Sequence, residues 1–178
     1  MYRIDWVMLI GEGVNLRLME RNELGIVHGW ENDSLFTGPF EPVQQSTLES
    51  LEKQYDKRGD DEWFFIESKE GTPIGLMYTM SKSGYYIIGY AVVEEARGLG
   101  VCSEAVRMIV DYLFLRKRIV RIQAETHPEN LASQKVLTKN GFSREGVIRQ
   151  SFYSRGVYRD TVLFSILRDE WKGPYYNW

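Results

Sequence analysis

Cysteine occurs once in the 178 residues, at Cys102, so no intramolecular disulfide can form, which suits a reducing compartment. The two histidines, His28 and His127, lie far from each other and from that cysteine, and no metal-ligand spacing results; no metal is expected. No apolar run reaches the roughly 18 residues needed to cross a bilayer. The opening MYRIDWVMLIGEG places Asp5 near its centre and lacks the long apolar core of a secretory signal. A cytoplasmic protein with no membrane partner is therefore expected. A basic excess is missing too: the net charge is -3, which gives no reason to expect nucleic acid. Repeats and low-complexity segments are absent. The remaining composition, 43% apolar and 26% charged, is that of an ordinary globular chain. Its length suits one domain over residues 1–178, with an N-terminal extension over 1–12 and an irregular tail over 170–178.

Periodicity supplies the elements. Val14 to Leu18 alternates apolar and polar and reads as a strand, with Tyr2 to Ile10 an extra strand before it. Arg21 to Glu31 has helical spacing through Leu24, Val27 and Trp30, Asn32 to Phe40 is turn chemistry carrying aromatics, and a second helix runs from a Ser46 or Thr47 cap to about Lys57. Glu62 to Ser68 and Thr72 to Met80 form a hairpin around Lys69-Glu70-Gly71, and Tyr85 to Val93 is a buried strand. Ser103 to Phe114 is a helix with an apolar face at 106, 109, 110, 113 and 114. A strand at Arg118 to Thr126, a short helix at Asn130 to Asn140 and a closing hairpin of Phe142 to Tyr153 with Val157 to Leu167 complete the order. The expected architecture is mixed α/β: a largely antiparallel sheet of six or seven strands flanked by about four helices. Exposed-looking aromatics at Ser151-Phe152-Tyr153 and at Trp171 to Trp178 make a homodimer the expectation for assembly.

The most informative stretch is the passage from strand to helix at Arg97-Gly98-Leu99-Gly100-Val101-Cys102-Ser103. A glycine loop opening a helix gathers backbone N–H groups and the positive end of the helix dipole on one small volume, so it can hold an anion such as a phosphate. Neither the P-loop pattern nor the dinucleotide fingerprint reads through this stretch.

The register Arg97-x-x-Gly100-x-Cys102, followed by Glu104-Ala105, resembles the R/Q-x-x-G-x-G/A pyrophosphate loop of the GNAT N-acetyltransferase superfamily. A second motif, Asn130-x-x-Ser133-x-x-x-Leu137-x-x-x-Gly141-Phe142, is similar to the family's N-x-x-A-x-x-x-Y-x-x-x-G-F. Ser133, Leu137 and the Glu145 to Asp160 stretch look most like the ribosomal-protein N-terminal acetyltransferase branch. The resemblance implies acetyl-CoA as co-substrate and direct attack of a neutral amine on the thioester. It implies cofactor contacts from the backbone of Ala91, Val92 and Val93, from Arg97, Gly98, Leu99, Gly100, Val101, Cys102 and Ser103, and from Asn130 and Ser133. Ser133 is the candidate proton donor to the leaving thiolate, since Leu137 stands where many relatives have a tyrosine. Glu125 and Tyr90 are candidate proton acceptors, beside His127 and Asp160; Phe152 stands where some relatives carry a glutamate. Trp30, Phe36 and Phe152 are candidates for the acceptor wall. The acceptor implied first is a peptide or protein N-terminus, with a polyamine or aminoglycoside-like amine as the alternative. A binding module that holds acyl-CoA without turnover is the rival from another class.

Overall fold

The computed structural model describes residues 9–42 and 45–176. In chain order the elements are β1 (Leu9–Ile10), β2 (Val14–Leu18), α1 (Leu24–Glu31), α2 (Ser34–Thr37), α3 (Leu48–Asp56), β3 (Glu62–Ser68), β4 (Pro73–Lys82), β5 (Tyr85–Val92), α4 (Val101–Arg116), β6 (Arg121–Thr126), α5 (Leu131–Lys139), β7 (Ser143–Ser154) and β8 (Val157–Leu167). The strands form one sheet in the order β1-β2-β3-β4-β5-β6-β8-β7. Every neighbouring pair is antiparallel except β5 with β6.

The mixed, largely antiparallel sheet follows the expectation, with eight strands instead of six or seven. The additional one is β1, whose Leu9 pairs with Leu16; residues 2–8 of the expected first strand lie outside the described residues. Among the described residues five α-helices stand where about four were expected, because the aromatic turn closes one helical turn of its own. Asp33 caps it, its carboxylate accepting the Leu35 N–H at 2.9 Å.

Strand alternation sorts the core into two layers. Phe64 and Ile66 of β3 join Met77, Tyr86, Ile88 and the apolar face of α4 on one side of the sheet. Phe65, between them, points the other way and packs with Met19, Leu24, Val27, Leu51 and Tyr55 beneath α1 and α3. Buried on both faces, β3 reads as an unbroken apolar run instead of an alternating one.

Among the described residues after β8 there is a 3-10 turn at Arg168–Glu170 and no further strand or α-helix, yet they are pinned along α4. Buried Asp111 accepts the Trp171 indole N–H and the Tyr175 backbone N–H, both at 2.8 Å. The Arg107 guanidinium lies over the Tyr175 ring at 4.4 Å, and the Tyr176 hydroxyl reaches Glu104 at 3.2 Å. These aromatics are thus engaged within the chain, and β7, exposed over most of its length, is the surface on which the dimer expectation now rests. No helix among the described residues is long and apolar enough to cross a membrane.

Candidate active site

β5 pairs with β4 along its whole length, from Tyr85↔Lys82 to Val92↔Gly75. With β6 it pairs only over Tyr85 to Ile87. The two strands part beyond that point, and one edge of β5 from Ile88 onward has no strand beside it. The Val93 N–H donates to the Ile74 carbonyl at 2.9 Å. Since antiparallel strands turn their N–H groups to alternate sides, those of Tyr90 and Val92 face the gap and that of Ala91 faces β4. Of the three residues implied to supply backbone contacts, Val92 therefore aims its N–H at the opening, while the Val93 N–H is already bonded.

Below the gap, the glycine loop opens α4. Gly100 is the N-cap, with φ +86°, a left-handed conformation that side chains rarely adopt. The first helical bond runs from the Glu104 N–H to the Gly100 carbonyl at 3.1 Å, so the N–H groups of Val101, Cys102 and Ser103 lack intrahelical partners. A Cβ built at Gly98 or at Gly100 meets nothing within 4 Å. Open space, orphan N–H groups and a helix dipole together fit a pyrophosphate. The Ser103 side chain is not part of that surface: it is buried, and its Oγ accepts from Asn140 Nδ2 at 3.2 Å. Leu99 is exposed at the tip of the loop. Glu104 carries its carboxylate away from the loop to accept the Gly13 N–H at 3.0 and 3.1 Å, which fastens the β1–β2 turn to α4.

Across the gap stands α5. Asn130 caps it, its Oδ1 accepting the Ser133 N–H at 3.1 Å. The Tyr90 hydroxyl bridges from β5 to this helix, 3.0 Å from Ser133 Oγ and 3.3 Å from the Ser133 carbonyl oxygen. Two of the candidate proton-transfer residues are thus brought into contact. Leu137 is wholly buried in the core, and the Tyr90 hydroxyl that meets this helix comes from β5. Burial keeps the Tyr90 phenol protonated well above its ordinary range, against a smaller opposing effect from Ser133. Cys102, close enough to Tyr90 for their charges to interact, has its thiol pushed up to about 11 by desolvation, which outweighs the Arg97 charge. A thiol held protonated in this way is a poor nucleophile.

The other candidate bases are engaged elsewhere. Glu125 is exposed and accepts the Thr161 hydroxyl at 2.9 Å, Asp160 accepts the Gln150 N–H at 2.9 Å, and the His127 ring stacks on Phe40 at 5.0 Å.

On the α1–α3 face of the same strands, Trp30 stacks on buried Phe36 at 4.9 Å and 9°. Phe152 is half-buried on β7, and two residues on, Ser154 donates to the Glu41 carbonyl at 3.3 Å, which brings the β7–β8 hairpin against the loop that follows α2. Tyr78 of β4 leans across Gly89 of β5: a Cβ there would lie 2.1 Å from the ring, so only glycine admits this packing. Tyr78 is 40% exposed, and partial desolvation of its phenol, followed by the negative fields of Glu41 and Glu31, raises it above the ordinary range. Desolvation raises both carboxyls above the usual range as well. Glu31, Glu41 and Tyr78 escape a motif reading because three distant segments supply them; the only sequence signal is an acidic residue beside the aromatic turn. Among the described residues no group of three His, Cys, Asp or Glu side chains is placed to hold a metal.

The sequence profile of the acetyltransferase (GNAT) domain matches residues 14–143, and the chain belongs to that family of enzymes. It is an N-acetyltransferase, and the family's acyl donor is acetyl-CoA. The chain is 40% identical over 83 residues to a probable N-acetyltransferase, YjcK, of Bacillus subtilis, a match that spans 47% of this chain and about half (46%) of that relative. It is 29% identical over 175 residues to the uncharacterized N-acetyltransferase p20 of Bacillus licheniformis, covering 93% of this chain and 98% of the relative. A spermidine N(1)-acetyltransferase of Escherichia coli is 27% identical over 167 residues, 89% of this chain and 88% of that one. Among solved structures, the ribosomal-protein-S5-alanine acetyltransferase of Vibrio fischeri superposes with a TM-score of 0.80 at 24% identity, over 92% of this chain and 98% of that one, a likeness of fold.

Proposed function

We propose that this enzyme moves the acetyl group of acetyl-CoA to a primary amine by direct attack, in the gap where β5 and β6 part. The observation that carries the reading is the meeting, at that gap, of free β5 N–H groups, the glycine loop of α4 and the Tyr90–Ser133 pair. Residues 97–103 hold the pyrophosphate through backbone N–H groups, and Asn130 offers its Nδ2 to the cofactor beside them. The N–H groups of Tyr90 and Val92 face the thioester and the pantetheine arm, where a hydrogen bond to the carbonyl oxygen favours the negative charge that builds during attack. The amine lone pair forms the new C–N bond, the C–S bond breaks, and the sulfur leaves with the electron pair. Ser133, hydrogen-bonded to Tyr90, passes a proton to that sulfur and regains one from solvent, and the attacking nitrogen gives its own to water.

The acceptor proposed first is a peptide or protein α-amine. Near pKa 8 it is already partly neutral at pH 7, so it needs little help from a base. A polyamine is the second reading, favoured by Glu31 and Glu41, whose negative fields reach Tyr78 and would suit an additional positive charge on the acceptor. One screen separates these: release of free thiol from acetyl-CoA over a panel of N-terminal peptides and polyamines. Acetylation of peptides supports the first reading. Efficient turnover of polyamines with peptides untouched overturns it in favour of the second. Tight CoA binding with no acceptor-dependent thiol release would make the protein an acyl-CoA-binding module.

A further inference from the structure

Arg97 begins the cofactor loop, yet its guanidinium turns toward the opposite wall of the cleft. Nη2 donates to the carbonyl of Leu35 and, at 3.1 Å, to that of Phe36, both in the one-turn helix α2. The sequence explains the need. A helical carbonyl at position 35 would accept from the N–H of residue 39, and residue 39 is Pro39, which has none. Gly38, with φ +72°, ends the helix before any further N–H can line up. The Ser34 carbonyl still accepts the Gly38 N–H at 3.0 Å, but those of Leu35 and Phe36 are left without helical partners, and a guanidinium with several fixed donors satisfies both.

What is held this way is the wall. Phe36 is buried and stacked on Trp30, and the loop after α2 is tied down further along by Arg155 donating to the Gly38 carbonyl at 3.3 Å. Arg97 ties α2 to the cofactor loop, whereas the Arg155 tie reaches the β7–β8 hairpin.

We infer that Arg97 is a positioning residue which couples the two substrates: its backbone belongs to the cofactor loop, and its side chain sets the acceptor wall. A loop steadied by cofactor phosphates holds Arg97 steady, and through it α2, so loading the cofactor organises the acceptor side. Because coupling between two binding events is reciprocal, the acceptor tightens the cofactor by the same factor. This rests on the reading of Trp30 and Phe36 as the acceptor wall.

Two variants test it. Arg97→Met keeps the length of the side chain and removes its donors; Arg97→Lys keeps a charged donor. In the first, the acceptor KM should rise about tenfold, since two charge-assisted hydrogen bonds are lost, while acetyl-CoA affinity by calorimetry stays within about twofold. In the second, acceptor KM should return most of the way. Hydrogen exchange supplies a readout that needs no turnover. Coenzyme A added to the wild type should slow amide exchange over residues 34–38, and that protection should be lost in Arg97→Met. Coupling that persists unchanged in Arg97→Met overturns the inference. So does a cofactor affinity weakened tenfold or more with acceptor KM unchanged, because Arg97 would then be a phosphate ligand. A protein that shows the exchange coupling but acetylates no amine would keep Arg97 as the link between the cofactor loop and α2 while defeating the proposed function and, with it, the acceptor side of this inference.

Discussion

At the scale of single residues, Gly100 carries two demands that a side chain cannot meet together. Its φ of +86° strains any β-branched residue, and the open space above it is where the phosphates are proposed to lie. Gly100→Val should therefore weaken acetyl-CoA binding about a hundredfold or more while lowering unfolding stability by only about 1–3 kcal/mol. Calorimetry run beside urea unfolding separates the two, and normal affinity in the folded variant would remove the phosphate-loop assignment. The Tyr90 hydroxyl and Ser133 Oγ meet across the gap at 3.0 Å, and the proposed chemistry makes them one unit. Tyr90→Phe and Ser133→Ala should each lower kcat about tenfold with little change in cofactor affinity, and the double variant should be scarcely worse than either single one. Full additivity in steady-state kinetics would mean that they work separately. Cys102 offers a pH test. With the folded thiol near pKa 11, against about 8.5 unfolded, only about a thousandth of it is thiolate at pH 8, and alkylation of the native protein should be hundreds of times slower than in urea. The raised value also means that the folded state keeps this proton longer. Its contribution to stability is thus complete below about pH 8.5 and fades as pH climbs toward 11, a loss that Cys102→Ala should not show in pH-dependent melts.

At the scale of elements, α4 is the member on which most of the molecule converges. Its apolar face fills the core, its first turn opens the cofactor loop, and its outer side receives the C-terminal residues. Trp171→Phe keeps the ring beside Phe114 but deprives buried Asp111 of the indole N–H, at a cost of about 1–3 kcal/mol in urea unfolding. Unchanged stability would mean that the tail only rests on the helix. This strap was not legible in the sequence, because Trp171 and Tyr175 carry no periodicity and their partner lies some 60 positions earlier. By contrast α4 itself was legible: its apolar spacing and the glycines before it are local signals, and the helix merely begins two residues sooner than the spacing indicates. The one-turn helix α2 hid among turn residues, since Asp33 and Gly38 are equally at home in an irregular loop. The glycine loop could be read off because its chemistry is contiguous. The Tyr90–Ser133 contact could be suspected only residue by residue, because no pattern along the chain tells how far apart two strands will stand.

At the scale of the whole molecule, that separation is the feature with the widest reach. The antiparallel run β1 to β5 and the group β6, β8, β7 are joined, within the sheet, by the three residue pairs from Tyr85↔Arg121 to Ile87↔Gln123. The hairpins β3–β4–β5 and β7–β8 are built from near neighbours in sequence, which close cheaply and early, whereas laying β6 beside β5 must wait for all of α4 to be in place. The seam between β5 and β6, along which the cleft lies, is then expected to close after those hairpins and to open before them. A co-substrate threaded into it would act as a stitch between the halves, so that the protein resists denaturant and protease chiefly when it is ready to turn over.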